Sequence, residues 1–269
     1  MHHLHATVIH NRPAARGYLS LRFSWPETSP VPKPGQFLTI RVSDSPVPLL
    51  RRPFAFSDTG DGWAEILYEK RGTATTLLGG LQQGDSLDLL GPLGNSFSPP
   101  REHRRPVLIG GGIGMGPVLY WSRILAAQGY RPLLIIGARD KGLIPDLDLP
   151  RGIDFLPATD DGSLGFHGTV VDCLVNYLEN HPEAEHGNLE LYSCGPNPMM
   201  RALHSWSRGQ LPPAPLWVSM EQTMGCAVGA CMGCVVKVHG EKPFARVCME
   251  GPVFDSSLID WEGVGHEYL

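Results

Sequence analysis

Short runs of alternating apolar and polar residues fill the first hundred positions of the chain. Six of these runs favour β-structure, and turns rich in Gly, Pro or Asp separate them. The runs are HATVIHN, YLSLRFSW, GQFLTIRVS, RPFAFSD, WAEILYEK and DSLDLL. One short helix is predicted from Thr73 to Leu81. Strands at such close spacing predict a small antiparallel barrel.

The pattern changes after the polar stretch SPPREHRRP. Buried strands then alternate with helical patterns, in the order PVLIGGG, PVLYWSRILAAQG, RPLLIIGAR, IDFLPATDDG, TVVDCLVNYLEN, LELYSCG and PNPMMRALHSWS. This alternation predicts a parallel sheet with crossover helices. A last strand, PLWVSME, leads into a cysteine-rich tail. The predicted fold is multi-domain: an antiparallel β-barrel (residues 1–100), a parallel-sheet α/β domain (101–219) and a small C-terminal segment (220–269).

Composition narrows the class of protein. Apolar residues make up 42% and charged residues 18%, as in ordinary globular proteins. A net charge of −5 gives no basic surface, so we expect no nucleic-acid partner. The sequence shows neither an apolar run long enough to span a bilayer nor a signal-peptide core, so we expect no membrane association and a cytoplasmic location. Structural disulfides are rare there.

Four of the six cysteines are concentrated in the tail. Cys226, Cys231, Cys234 and Cys248 follow the spacing C-x₄-C-x₂-C-x₁₃-C. The C-x₄-C-x₂-C…C pattern is typical of plant-type [2Fe–2S] sites, and interleaved glycines let a loop close around a cluster. Structural zinc usually needs two C-x₂-C pairs, and only one is present. Zinc, a disulfide pair or unrelated thiols remain alternatives. Cys173, in an amphipathic helix, is expected to be buried and inert.

Two loops of the α/β region follow predicted strands and precede helices. The first, GGGIGMGP, is a candidate phosphate cradle, although no register satisfies G-x-G-x-x-G. Its alternative explanation is tight helix–strand packing that requires small residues. The second, CGPNPM, has Pro196 at the predicted start of a helix. Both loops lie at the carboxyl ends of strands, where open parallel sheets bind ligands.

A third motif lies in the barrel. LLRRPFAFS places Arg51 and Arg52 beside aromatic residues, and an arginine there can pair with a phosphate. In RGTATTLL, Gly72 and Thr73 begin the predicted helix and offer free N–H groups to a pyrophosphate. An ordinary strand with two solvated arginines explains the first motif equally well.

The three motifs occur in an order that resembles the ferredoxin–NADP reductase superfamily. Within it, the chain resembles the electron-transfer subunits of type B dihydroorotate dehydrogenases over nearly its whole length. The most specific element is the cysteine spacing after SMEQTMG, and GPLGNSF and ATDDGSLGFHGTV also match. The resemblance implies FAD in the barrel, NAD in the α/β domain and a [2Fe–2S] cluster in the tail.

The resemblance also implies a role for individual residues. The expected FAD-binding residues are Arg52, Pro53, Phe54, Ala55, Leu67, Tyr68, Glu69, Gly72 and Thr73. The expected residues at the nicotinamide dinucleotide are Gly111, Gly112, Gly114, Cys194, Gly195 and Pro196, with Met199 behind them. The metal ligands are Cys226, Cys231, Cys234 and Cys248. No catalytic acid or base is expected, because the protein's role is to place the cofactors.

Two departures from the family pattern stand out. Many members carry Tyr-Ser where this chain has Phe54 and Ala55, so a hydroxyl contact to the flavin is missing. No clear acidic ribose ligand follows the glycine loop, only Arg139 and Asp140. Arg139 would suit the 2′-phosphate of NADP, whereas the resemblance favours NAD.

The implied function is a relay between NAD, FAD and [2Fe–2S] that continues to a partner. In the family this partner is an FMN-containing catalytic subunit that oxidises dihydroorotate in pyrimidine biosynthesis, and a heterotetramer is expected. Reductase chains of this build also serve hydrogenases or ferredoxins. A zinc-stabilised, redox-sensing interaction protein is the alternative from another class.

Overall fold

The N-terminal region of the computed structural model is the predicted barrel. The structure describes residues 2–181 and 188–264. Six strands close in the order β1-β2-β5-β4-β3-β6, and every neighbouring pair is antiparallel. The strands are β1 (His2–Ala15), β2 (Tyr18–Ser24), β3 (Phe37–Arg41), β4 (Arg52–Gly60), β5 (Trp63–Glu69) and β6 (Ser86–Leu93).

Side-chain alternation explains why this sheet closes. Along β6, Leu87 and Leu89 are buried while the residues between them are more exposed, and β5 alternates in the same way. The inward side chains form one apolar core, which includes Phe23 and Phe56. Burial on one face of each strand fixes the register, since a shift by one residue would expose the whole set.

The barrel helix, α1 (Thr73–Leu78), is shorter than the sequence predicted. The expected end at Leu81 is wrong, because Gly79 and Gly80 follow Leu78 and glycine disfavours helix interiors. The N–H of Gly79 donates to the carbonyl of Thr75 and closes the last turn.

The second region is the predicted α/β domain. Its sheet has the order β10-β9-β8-β7-β11-β12-β15, and all neighbours are parallel except β12 and β15. The strands are β7 (Arg105–Gly111), β8 (Leu133–Ala138), β9 (Asp154–Thr159), β10 (Phe166–His167), β11 (Leu189–Cys194), β12 (Leu216–Ser219) and β15 (Val253–Asp255). The helices are α2 (Met115–Ala127), α3 (Val170–Asn180) and α4 (Asn197–Arg208). None of the described helices has the length and apolarity needed to cross a membrane.

Helix α2 joins the α/β sheet to the barrel. Its Tyr120 hydroxyl donates to the Pro32 carbonyl at 2.6 Å and also contacts the hydroxyl of Thr59 at 2.6 Å. One turn further on, Arg123 pairs with Asp58 at 2.8 Å. These contacts involve the barrel wall, so α2 serves both as a sheet crossover and as the joint between the two regions.

The C-terminal segment returns to the α/β sheet. Strands β13 (Val235–Lys237) and β14 (Phe244–Arg246) form a hairpin just after the cysteine loop. The chain then forms β15, which pairs antiparallel with β12. Strands β13, β14 and β15 were not predicted from the sequence, because each is only three residues long.

Asn95 connects this segment to the barrel. Its side-chain amide donates to the carbonyls of Glu250 and Val253, and its amide oxygen accepts from the Val253 N–H at 2.9 Å. Its backbone N–H donates to the Gly251 carbonyl at 2.7 Å. One side chain thus joins positions more than 150 residues apart in the sequence.

We expect Asn95→Ala to loosen the C-terminal segment. The substitution removes three side-chain hydrogen bonds, which together contribute about 1–3 kcal/mol. Proteolysis should then cleave the C-terminal segment faster than in the wild type, and the urea concentration at the midpoint of unfolding should fall. Ser98→Ala, at an exposed neighbouring position, is the control. Equal cleavage rates in both variants would contradict this role for Asn95.

Candidate functional site

The residues predicted to border a flavin lie on β4 and β5, where these strands separate. The two strands pair at Phe56 and Ile66 but have no pairing beyond that point. From there the 52–55 segment pairs only with β3, and the 67–69 segment pairs only with β2. Both predicted segments therefore line one cleft in the barrel wall.

Within this cleft the two neighbouring arginines have different roles. Arg51 forms a fork with both carboxylate oxygens of Asp88, each at 2.8 Å, and donates to the Asp88 carbonyl. Arg52 donates only to the nearby Leu50 carbonyl and has no carboxylate partner among the described residues. An arginine without an acidic partner at the cleft is available to a phosphate, so Arg52 fits the predicted FAD contact.

The orientation of Tyr68 limits its part in flavin binding. Its side chain is buried in the barrel core, and its hydroxyl donates to Asn11 at 3.0 Å. Only its backbone could border a flavin. Leu67 and Glu69 point the opposite way by strand alternation, and Leu67 packs toward α2.

The start of α1 offers open space. A Cβ at Gly72 would have no atom within 4 Å, and no side chain caps the helix. The hydroxyl of Thr75 accepts from the N–H groups of Arg71 and Gly72. The first amides of the helix, beginning with Thr73, lack intrahelical partners. They therefore fit the predicted pyrophosphate contact better than the Gly72 amide does.

The two glycine loops pack directly against each other. A Cβ at Gly114 would lie 2.5 Å from the Cys194 carbonyl oxygen, and one at Gly111 would lie 2.5 Å from Met199 Sδ. A Cβ at Gly195, whose φ is +156°, would lie 2.9 Å from the Gly111 nitrogen. Pro196 precedes α4 as predicted. Close packing therefore explains the glycines at positions 111, 114 and 195.

Gly112 is different, because it faces the barrel. Its φ is +54°, and a Cβ there would lie 3.6 Å from the Tyr18 hydroxyl. Burial, and then the Glu69 carboxylate, raise the pKa of Tyr18. Tyr18 thus stands between the first glycine loop and the flavin cleft, and it brings the two predicted cofactor sites together.

At the end of β8, Asp140 is already engaged. Its carboxylate pairs with Arg16 and accepts from the Gly142 N–H at 2.9 Å. It therefore fits poorly as a ribose ligand. Arg139 is exposed and forms no ion pair within the described part of the chain.

Glu221, at the start of the tail, connects all three predicted sites. Burial, and then the Glu221 carboxylate, raise the pKa of the Cys194 thiol to about 12. A hydrogen bond to Glu69, and then the charges of Glu69 and Glu221, raise the pKa of Arg71. Glu221 therefore lies within electrostatic reach of the second glycine loop and of the barrel helix start.

The four tail cysteines form two pairs. Cys226 Sγ accepts a hydrogen bond from the Cys231 N–H at 3.4 Å, and Cys234 interacts electrostatically with Cys248. The pKa of Cys226 is lowered to about 6, because backbone N–H groups, first that of Val228, donate to its sulfur. Three such groups lie within 3.5 Å of this sulfur. N–H···S contacts of this kind are typical of iron–sulfur loops.

The paired arrangement fits a cluster of two irons. Among the described residues, no three His, Cys, Asp or Glu side chains surround the position of a single metal ion. All six cysteines are free thiols. Two thiols for each iron is the requirement of a [2Fe–2S] cluster held by four cysteines, whereas structural zinc needs four ligands around one point. Cys173, by contrast, is buried in a helix as predicted.

Several residues of this region had no predicted role. Tyr18, Arg71, Glu221 and Arg246 were not named, and Asn95 was only part of a matching segment. Tyr18, Glu221 and Asn95 interact with residues far away in the sequence, so no local spacing could reveal them. The signal for Asn95 was its place in GPLGNSF, where an amide follows a turn glycine.

Comparison with known proteins identifies the family. Residues 221–260 match the family described as the iron–sulfur cluster binding domain of dihydroorotate dehydrogenase B. The electron transfer subunit of dihydroorotate dehydrogenase B (NAD(+)) from Geobacillus kaustophilus is 37% identical over 263 residues, which cover 94% of this chain and 96% of that protein. This chain belongs to the family of dihydroorotate dehydrogenase B electron transfer subunits. The subunit from Desulforamulus reducens is 34% identical over 90% of this chain and 92% of its own length.

Solved structures agree with this membership. An NADH-dependent reduced ferredoxin-NADP oxidoreductase aligns with a TM-score of 0.81 and 26% identity, over 96% of this chain and 90% of that chain. Phthalate dioxygenase reductase shares the fold, with a TM-score of 0.62 and 17% identity over 88% and 87% of the two chains. The predicted barrel, α/β sheet and iron–sulfur segment are therefore confirmed as a ferredoxin-reductase-like fold.

The two arginines of the cleft should respond differently to substitution. We expect Arg52→Gln to weaken FAD binding roughly 10- to 100-fold, the effect of losing one charge-assisted bond to a phosphate. We expect Arg51→Gln to keep FAD and to lower stability by about 1 kcal/mol, because Asp88 loses its arginine partner and keeps only His3. Flavin content after dialysis and thermal unfolding measure the two effects. Equal FAD loss in both variants would contradict the different roles assigned to Arg51 and Arg52.

Contact between the loops predicts a purely steric effect at Gly114. Its φ is −63°, which alanine adopts easily, so Gly114→Ala acts only through the 2.5 Å approach to the Cys194 carbonyl. We expect the loops to separate and dinucleotide affinity to fall by about tenfold or more. Gly209→Ala is the control, because its φ is −75° and its nearest contact is 3.4 Å. If titration showed wild-type dinucleotide affinity in Gly114→Ala, the contact between the loops would have no role in dinucleotide binding.

Proposed function

We propose that this chain passes electrons between NAD and an FMN-containing catalytic subunit that oxidises dihydroorotate, in pyrimidine biosynthesis. The proposal rests on family membership and on one structural observation. Tyr18, on a barrel strand, has its hydroxyl 3.6 Å from the Cβ position of Gly112 in the first glycine loop, and β15 of the cysteine segment pairs with the sheet that carries both loops. Dinucleotides exchange electrons in pairs and iron–sulfur clusters exchange them singly, and a flavin placed between the two can do both.

We assign the three segments as follows. Residues 1–100 would bind FAD, residues 101–219 NAD and residues 220–269 the [2Fe–2S] cluster. The cleft between β4 and β5 supports the first assignment, and the two loops at strand carboxyl ends support the second. The paired thiols support the third. Strand β15 returns from the third segment to the sheet of the second and fixes their contact.

Arg52 and the amides at the start of α1 would hold the FAD phosphates. The 53–55 backbone, with Leu67 and Glu69, would border the flavin ring system. The Phe54 side chain packs edge-on against Tyr68. The loops at 111–114 and 194–196 would hold the dinucleotide. We propose NAD rather than NADP, because the curated relatives carry NAD(+) in their names.

An exposed apolar surface near the cysteines supports a partner at this face. Met232, Phe244 and Met249 are 54%, 52% and 50% exposed, and they come from the cysteine loop, from β14 and from the residue after Cys248. Large exposed apolar side chains in one small segment are typical of interaction sites. We propose that the catalytic subunit docks here, within a heterotetramer. We place the complex in the cytoplasm, because ligand thiols must stay reduced.

A second candidate partner is a ferredoxin. The structural similarity to an NADH-dependent reduced ferredoxin-NADP oxidoreductase favours it. The curated relatives, at 37% identity over nearly full length, favour the dihydroorotate-oxidising subunit. Activity of the purified chain with each partner in turn distinguishes the two.

Substitution of a cluster ligand tests the relay. We expect Cys226→Ala, assembled with the catalytic subunit, to lose iron and dihydroorotate-dependent NADH formation but to keep FAD. The control is Cys173→Ala, which removes a thiol from a buried helix position, where burial raises the pKa of the thiol to about 11. It should leave iron content and NADH formation unchanged. Absorbance of NADH, iron content and flavin content are the measurements. Full partner-dependent turnover in Cys226→Ala would exclude the cluster as the route.

A further inference from the structure

Arg246 occupies the centre of the cysteine segment. It ends β14, where it is paired with Val235 of β13, and it precedes Cys248 by two residues. Its Nη1 donates to the Gly229 carbonyl at 2.9 Å. Gly229 lies in the loop between Cys226 and Cys231, so one guanidinium connects the loop with three ligands to the turn with the fourth.

Glu250 fixes the direction of this guanidinium. Its two oxygens accept from Arg246 Nη2 at 2.5 Å and from Nε at 3.1 Å. One of them also accepts from the Arg246 backbone N–H at 2.7 Å, and the Glu250 N–H donates to the Arg246 carbonyl at 2.9 Å. The turn from Arg246 to Glu250, which contains Cys248, is therefore closed at both ends.

The Gly229 peptide is held from two sides. Its carbonyl accepts from Arg246, and its N–H is hydrogen-bonded to the thiol of Cys248. Gly229 has φ +81°, and a Cβ there would lie 2.5 Å from Met249 Cγ. No other residue type could bring the loop this close to the turn without displacement. The N–H of Val247 adds a bond to the Cys234 carbonyl at 2.9 Å.

Charge gives this ion pair a second consequence. Arg246 interacts electrostatically with the thiols of Cys248 and Cys234. A positive charge beside an iron–sulfur site favours the reduced form, because reduction adds a negative charge. Glu250 offsets this effect through its bidentate contact. The Arg246–Glu250 pair therefore holds the cysteine loop in place while adding little net charge beside it.

We propose that the Arg246–Glu250 pair is a positioning element of the cysteine site, which holds the fourth ligand against the ligand loop and balances the charge beside it. The proposal rests on the proposed function, since it assumes that the four cysteines bind a [2Fe–2S] cluster. Arg246 and Glu250 act through the cysteines and their loop, and neither is a ligand.

Three variants separate the mechanical role from the charge role. Arg246→Lys keeps the charge but cannot fork to Glu250 and reach Gly229 at once. Arg246→Gln removes both the positive charge and the simultaneous contacts with Glu250 and Gly229. Glu250→Gln keeps an acceptor for Arg246 but leaves the positive charge unbalanced. The control is Lys237→Gln, which breaks an ion pair with Asp260 in the same segment, away from the cysteine loop.

The experiment uses the full chain, purified without oxygen, and has two measurements. The first is the rate of iron release to a chelator, and the second is the cluster midpoint potential in a redox titration followed by absorbance. We expect both Arg246 variants to release iron roughly tenfold faster, the effect of one lost charge-assisted hydrogen bond. We expect a higher potential in Glu250→Gln, a lower one in Arg246→Gln and little change in Arg246→Lys.

The outcomes distinguish this proposal from the proposed function. Wild-type release rates and potentials in all three variants would overturn the proposal and leave the cluster assignment intact. A wild-type chain without iron and sulfide would instead overturn the cluster assignment itself. Unchanged flavin content in each variant would show that the barrel is folded and that the effects are local.

Discussion

The position of the cysteine segment depends on its contacts with the α/β sheet and with the barrel. Strand β15 pairs with β12 of the α/β sheet, and Asn95 bonds the adjoining turn to the barrel. Electrons pass between cofactors only over short distances, so the cysteine segment must be held near the flavin cleft. The short strand and the single asparagine make it part of one continuous structure.

Electrostatics and close packing complete the arrangement. Tyr18 of the barrel lies beside Gly112 of the first glycine loop, and Glu221 of the tail interacts electrostatically with Cys194 of the second loop and with Arg71 of the barrel. Packing of the glycine loops against each other leaves Gly112 beside the Tyr18 hydroxyl, while Gly116 approaches Ser57 of the barrel. The chain thus contributes geometry and charge, while the cofactors of its family contribute the redox chemistry.

Local patterns in the sequence predicted the barrel strands, the α/β alternation and the iron–sulfur segment, because period and spacing are short-range signals. They did not predict the end of α1 at Leu78 or the strands β13 to β15. They also could not show that the Tyr68 side chain points into the barrel core or that Asp140 is occupied by Arg16. Those facts depend on tertiary partners, which no single stretch of sequence contains.

The most direct test is an anaerobic absorption spectrum of the purified chain, with iron, zinc and acid-labile sulfide measured on the same sample. The account predicts flavin bands over a broad iron–sulfur absorbance, with about two irons and two sulfides per chain. A colourless protein that holds one zinc and no flavin would contradict it.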